Sequence, residues 1–164
     1  MTARIFTQRF DLRTPYSIAY ETISEAVNHF VLLEDADGRQ GIGCAAPAPE
    51  VTGETTASSR SALEAFARAV NGGMPVEEAL STLPAANPSA RAAADMAILD
   101  LRGVRDDRPV FAVLGGSPCS DEGEDPEWIT RPISVTIGIC PLDETVRLAG
   151  IHRDAGFSIL KVKG

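Results

Sequence analysis

The sequence has little cysteine, little positive charge and no long apolar run, and each shortage closes off a class of protein. Its three cysteines, Cys44, Cys119 and Cys140, are far apart and never form a Cys-x-x-Cys pair. The two histidines, His29 and His152, lie near none of them, so neither a disulfide framework nor a structural zinc site is expected. No apolar stretch approaches the roughly 18 residues of a membrane-crossing helix, and residues 1–10 lack the basic-then-apolar order of a secretory signal. A cytoplasmic protein with no membrane partner is the expectation. Lysine and arginine number 15 against 23 acidic residues, a net charge of −8. That argues against a nucleic-acid partner, because phosphate binding needs a basic surface. Part of the acidity sits in Asp121-Glu122-Gly123-Glu124-Asp125, which reads as a solvated loop. Val51-Thr52-Gly53-Glu54-Thr55 has one glycine and no lysine, which excludes a phosphate-binding loop.

What is present changes its periodicity along the chain. Residues 3–10 suit a first strand, and residues 12–26 read as a polar segment containing Pro15, Tyr16, Tyr20 and Glu21. Residues 29–34 and 40–45 flank Asp35-Ala36-Asp37-Gly38, the signature of a hairpin, so the chain should open with a small antiparallel sheet. From Thr55 the period becomes helical: Leu63, Phe66 and Val70 share a face, and Gly72-Gly73 ends the helix. A short helix is predicted near 76–83. Another starts with Asn87 as N-cap and Pro88 at the first position, and should stop near Leu101 or Gly103.

After an acidic linker at 116–131, residues 133–139, 143–155 and 157–162 read as strand, helix and strand. That is a βαβ unit with a right-handed crossover. The expected fold is therefore an α+β domain over residues 1–115 joined to the start of a (β/α) barrel over 132–164. An eight-stranded barrel typically needs about 250 residues, so the chain reads as a fragment of one. Uncapped parallel strands expose apolar surface, which favours self-association into a homo-oligomer.

The chemistry is concentrated in Leu160-Lys161-Val162-Lys163. Residues two apart on a strand share a face, so Lys161 and Lys163 project together. Two ammonium groups about 6–7 Å apart repel by roughly 2–3 kcal/mol at an effective dielectric near 20. Repulsion of that size favours a neutral amine, the form that can act as a general base. Spacing alone equally suits two exposed lysines that discourage pairing at an open strand edge.

Several stretches, in one order along nearly the whole chain, carry a resemblance. They are Gly41-Ile42-Gly43-Cys44-Ala45-Ala46-Pro47, Val51-Thr52-Gly53-Glu54-Thr55, Asn87-Pro88-Ser89-Ala90-Arg91-Ala92-Ala93-Ala94-Asp95-Met96-Ala97, Pro109-Val110-Phe111-Ala112-Val113-Leu114-Gly115-Gly116, Ser134-Val135-Thr136-Ile137-Gly138-Ile139 and Gly156-Phe157-Ser158-Ile159-Leu160-Lys161-Val162-Lys163. The chain resembles the enolase superfamily, in its muconate-lactonizing and dipeptide-epimerase branch. The resemblance implies that residues 1–115 form a capping domain whose loops at about 15–27 and 47–55 select the substrate. It implies Lys163 as the acid/base at the substrate α-carbon, Lys161 beside it, and Thr136, Glu21 and Tyr20 near a dipeptide. It further implies Mg²⁺ held by three carboxylates on later barrel strands, with a second lysine on the sixth. None of these has a counterpart here, so no turnover is expected from the chain alone. A muconate cycloisomerase or o-succinylbenzoate synthase relative, a non-catalytic α+β module and half of a split enzyme are the alternatives.

Weaker signals have plain readings. Glu50 and Glu54 flank a glycine-containing loop and are expected to be solvated. Asp95 and Asp100 are expected to be exposed or paired with nearby arginines, and no catalytic role is expected of His29 or His152.

Overall fold

An Asx turn organises the antiparallel pairing of residues 29–34 with 40–45. Asp35 Oδ1 accepts from the backbone N–H groups of Asp37 and Arg39, both at 3.0 Å, and Gly38 takes φ +78°, which costs glycine nothing. The structure is a computed structural model that describes residues 1–18, 21–116 and 132–164. Strands β1 (Thr2–Ile18), β2 (Glu21–Glu34) and β3 (Gln40–Ala45) form one sheet in that order. The β2–β3 register runs from His29 opposite Ala45 to Glu34 opposite Gln40.

Residues 12–26 prove to be mostly strand rather than a polar loop. Cross-strand backbone bonding needs no apolar alternation, and Thr14, Tyr16 and Thr22 in this stretch suit extended backbone.

The chain divides into two compact units, Met1–Arg9 with Val27–Ser117 and Phe10–Ala26 with Pro118–Gly164. In the first, the sheet is followed by helices α1 (Pro49–Thr52), α2 (Thr56–Asn71), α3 (Val76–Thr82), α4 (Pro88–Asp106) and α5 (Val110–Val113). Its core joins Val31 and Leu33 of β2 to Leu63, Phe66 and Val70 of α2 and Ala93, Ala97 and Leu101 of α4. Period two along β3 turns Gly41, Gly43 and Ala45 inward. With no side chains at Gly41 and Gly43, strand and helix backbones come together: a Cβ on Gly43 would meet the Ala93 carbonyl oxygen at 1.9 Å. The alanines of α4 complete a contact that only small residues allow.

Helix α2 opens on a capping box in which Thr55 and Ser58 each bond the other's backbone N–H at 3.1 Å. At its far end the Asn71 carboxamide bonds both backbone groups of Ala3, accepting at 2.8 Å and donating at 3.0 Å. Helix α4 passes through Gly103, where a stop was expected, and ends at Asp107 in the left-handed region with φ 50°. Gly103 is buried, and a Cβ there would sit 2.8 Å from the Arg108 carbonyl oxygen, so this glycine serves close packing rather than termination. The side chain of Asn87 likewise does not cap α4; its amide donates instead to Ser58 Oγ at 3.2 Å.

In the second unit, β4 (Ser134–Ile137), α6 (Leu142–Asp154) and β5 (Ile159–Val162) form the predicted βαβ unit, with strands shorter than the sequence suggests. The strands are parallel, Ser134 opposite Ile159 through Ile137 opposite Val162. Ile137 is buried, but α6 buries no residue fully, and Leu142 and Val146 are 80% and 64% exposed. Among the described residues no helix is long and apolar enough to cross a membrane.

Candidate active site

In the second unit the parallel register sets Thr136 opposite Lys161, and Lys163 follows at the end of β5. The Lys163 backbone N–H donates to the Ile137 carbonyl at 3.0 Å, which extends the pairing past the strand ends and fixes where the lysine leaves the sheet. Just beyond β4, the Ile139 N–H donates to the Ser17 carbonyl at 2.9 Å, which ties in the far part of β1. Ser17 Oγ in turn bonds Thr22 Oγ1 of β2 at 2.8 Å.

Around these groups lies an open cavity of about 800 Å³, lined by Thr14, Ser17, Thr136, Cys140, His152 and Lys163 among others. Lys161 is exposed and stands outside that lining. Tyr20 and the side chain of Glu21 lie outside the described residues.

Helix α6 adds Glu144, Leu148 and His152 to the lining. Their spacing of four is one helical face, a periodic signal that sequence reasoning passed over because no partner stood beside His152 in the chain. Glu144 is engaged by Arg147 through two bonds of 2.6 Å, and that guanidinium holds its carboxyl below the usual range. His152 meets the edge of Phe157, with ring centroids 6.0 Å apart. The cavity therefore offers an amine, hydroxyls and an imidazole, with its one lining carboxylate already paired.

Mg²⁺ prefers hard oxygen ligands in octahedral array, carboxylates among them. Among the described residues no three His, Cys, Asp or Glu side chains gather. The described residues do not fit that ion.

The first unit holds a carboxylate that the sequence reading misplaces. Glu54 is not solvated; it is 1% exposed. Its Oε2 accepts from Ser89 N–H at 2.7 Å and its Oε1 from Ala90 N–H at 3.3 Å, so it caps α4 in place of Asn87. Burial pushes its pKa up, but bonds from Ser89, Ala90 and Ser59 outweigh that and hold it below the usual value. A carboxyl depressed in this way stabilises the fold above the ordinary carboxylate range. That stabilisation is lost as pH falls through the depressed value. We expect Glu54→Gln to lose about 2–4 kcal/mol at pH 7 in urea denaturation, with the gap to wild type narrowing below about pH 4. A gap of equal size at pH 7 and pH 3 would remove the charge from this account.

The other acidic residues behave more simply. Glu50 and Asp95 are exposed, and Asp100 accepts from the Ile42 N–H at 2.8 Å while Arg102 pairs with Glu77. His29 is buried, and its Nε2 donates to the Thr56 carbonyl at 2.8 Å while Nδ1 meets Thr7 Oγ1 at 2.8 Å. Both ring nitrogens are taken, which fits a structural role.

Residues 1–115 match the family described as mandelate racemase / muconate lactonizing enzyme, N-terminal domain. The chain belongs to this family. Within the mandelate racemase / muconate lactonizing group its similarities include several epimerases and a racemase. It is 39% identical to an L-Lys-D/L-Arg epimerase of Desulforapulum autotrophicum over 97% of this chain and 44% of that protein. A crystal structure of a dipeptide epimerase from Methylococcus capsulatus, complexed with Mg and the dipeptide L-Arg-D-Lys, superposes with a TM-score of 0.81. The two are 36% identical over 98% of this chain and 44% of the other. An Enterococcus faecalis dipeptide epimerase with Mg and L-Leu-L-Tyr gives a TM-score of 0.82 at 27% identity, over 99% of this chain and 45% of the other. The chain thus spans less than half the length of the relatives it matches.

Proposed function

We propose that this chain supplies the capping domain (1–115), the linker (116–131) and the first barrel strands (132–164) of a cytoplasmic dipeptide epimerase. The observation that carries the reading is the cavity where Lys163, Thr136 and the far part of β1 meet, in a chain similar from end to end to epimerases. Lys163 would exchange a proton with the dipeptide α-carbon, and Thr136 would hydrogen-bond an oxygen of the substrate. The β1 segment at Thr14–Ser17 would keep water from the exposed amine. Proton transfer and substrate placement are the steps that fall to this chain. The relatives named for Lys and Arg dipeptides, with Glu21 in the segment the resemblance assigns to substrate selection, favour a substrate with a cationic side chain.

The apolar residues left exposed on α6 and β5, Leu142, Val146 and Val162 among them, favour completion of this unit by further strand–helix units. These would bring the metal ligands and the second base, in the same polypeptide or another.

The test joins residues 1–164 to the remaining barrel of the Methylococcus capsulatus relative. α-Proton exchange is then followed by ¹H NMR in D₂O with Mg²⁺ and an L-Lys-L-Arg dipeptide. The fused protein should exchange and the chain alone should not. A well-folded fusion that leaves cationic and neutral dipeptides untouched sinks the epimerase reading, and exchange by the chain alone sinks the need for completion.

A further inference from the structure

The exposed turn at Pro49–Gly53 stands directly on the most deeply buried carboxylate of the first unit. Val51, at the turn, is 75% exposed, while Glu54, three residues on, is 1% exposed. The turn is closed by its own backbone bonds, Val51 and Thr52 N–H to the Ala48 carbonyl at 3.0 and 2.9 Å and Gly53 N–H to the Pro49 carbonyl at 2.9 Å. Gly53 takes φ +75°, and Thr52 Oγ1 accepts the Glu54 N–H at 3.3 Å, so the turn leads straight into the buried residue.

A helix of four residues does not hold itself, because nucleation alone is unfavourable in water. None of its residues is buried, and no side chain caps its start. Something outside the turn must keep it folded. Among the described residues a buried tether follows the turn directly: the Glu54 carboxylate, gripped at the N-terminus of α4 by Ser89 and Ala90 N–H. Ser59 of α2 links to Ser89 at 3.1 Å in the same cluster.

We infer that Glu54 is a positioning residue: its buried carboxylate holds the Pro49–Gly53 turn in one conformation, ready-formed before substrate arrives. The inference deepens the epimerase reading, on which the turn's role in substrate selection rests. The anchoring itself is independent of any turnover. A turn so held presents Val51 at a fixed place, and the ordering cost of forming it does not fall on binding.

Backbone amide exchange, read by NMR on the 164-residue chain, separates this from a merely structural role. In Glu54→Gln the amides of Val51, Thr52 and Gly53 should exchange at least about tenfold faster, while interior amides of α2 and α4 keep their rates once corrected for global stability. A general loss of stability instead speeds turn and helices in step. Turn amides unchanged, or changed only in proportion to the helices, overturn the inference. If the Gln variant does not fold, Ser59→Ala and Ser89→Ala each remove one hydroxyl from the carboxylate while leaving it charged. The same ratio of turn to helix exchange must then rise in both. A fused protein without epimerase activity but with this exchange pattern would fail the functional reading and leave the anchor standing.

Discussion

Lys163→Ala in the fused protein should cut α-proton exchange by about 10²–10⁴, the usual contribution of a positioned acid or base. Thermal unfolding of the variant should be unchanged, since Lys163 is exposed and its structural bond is made by the backbone N–H rather than the ammonium. Lys161 and Lys163 are the only lysines in the sequence, so Lys161→Ala serves as a close control. Lys161 is exposed outside the cavity lining and should retain more activity. Equal losses from the two would move the role from one amine to the pair, and no loss at Lys163 would exclude it as the base.

The largest expected effect on stability comes from a single methyl group. Gly43→Ala would place Cβ 1.9 Å from the Ala93 carbonyl oxygen and 2.8 Å from its carbon, both backbone atoms that no rotamer change can move aside. Overpacking by one methylene usually costs about 1–3 kcal/mol. Here the clash is with a helix backbone, so β3 or α4 must shift bodily, and a loss of at least about 3 kcal/mol is expected for the first unit. That corresponds to a fall of roughly 6–12 °C for a chain of this size. Gly150→Ala is the opposite case. It lies within α6 with nothing near its added Cβ, and alanine there should stabilise by somewhat under about 1 kcal/mol. Circular dichroism melting of both variants reads the contrast, and a Gly43→Ala protein that melts with wild type would mean β3 does not lie against α4 as described.

Much of the architecture was open to reading from residue order alone. The Asp35–Gly38 turn, the helical period of Leu63, Phe66 and Val70, and the change to strand–helix–strand after residue 131 all follow from local chemistry. The errors share one cause: each turned on a contact that composition alone does not show. Gly103 has the composition of a helix stop, and only the Arg108 carbonyl and Val110 against it make it a packing glycine. Asn87 has the composition of a cap, but Glu54 arrives from another part of the chain to do that work. A glutamate beside a glycine looks solvated until the N-terminus of α4 is set over it. At the candidate site, Lys163 stood out by strand period and resemblance together, and Thr136 by the resemblance alone. His152 did not, because its place depends on which face of α6 turns toward the cavity.

The tie between Asn71 and Ala3 has a consequence for how the molecule meets its neighbours. β1 is an outer strand of the sheet, and such margins invite a foreign strand to add on and seed fibres. At Ala3 both backbone groups are already answered by one carboxamide, which offers a carbonyl and an N–H as an adjoining strand would. A single side chain thus impersonates the missing strand. It also pins β1 against slipping by one residue, since a slip would forfeit both bonds at once.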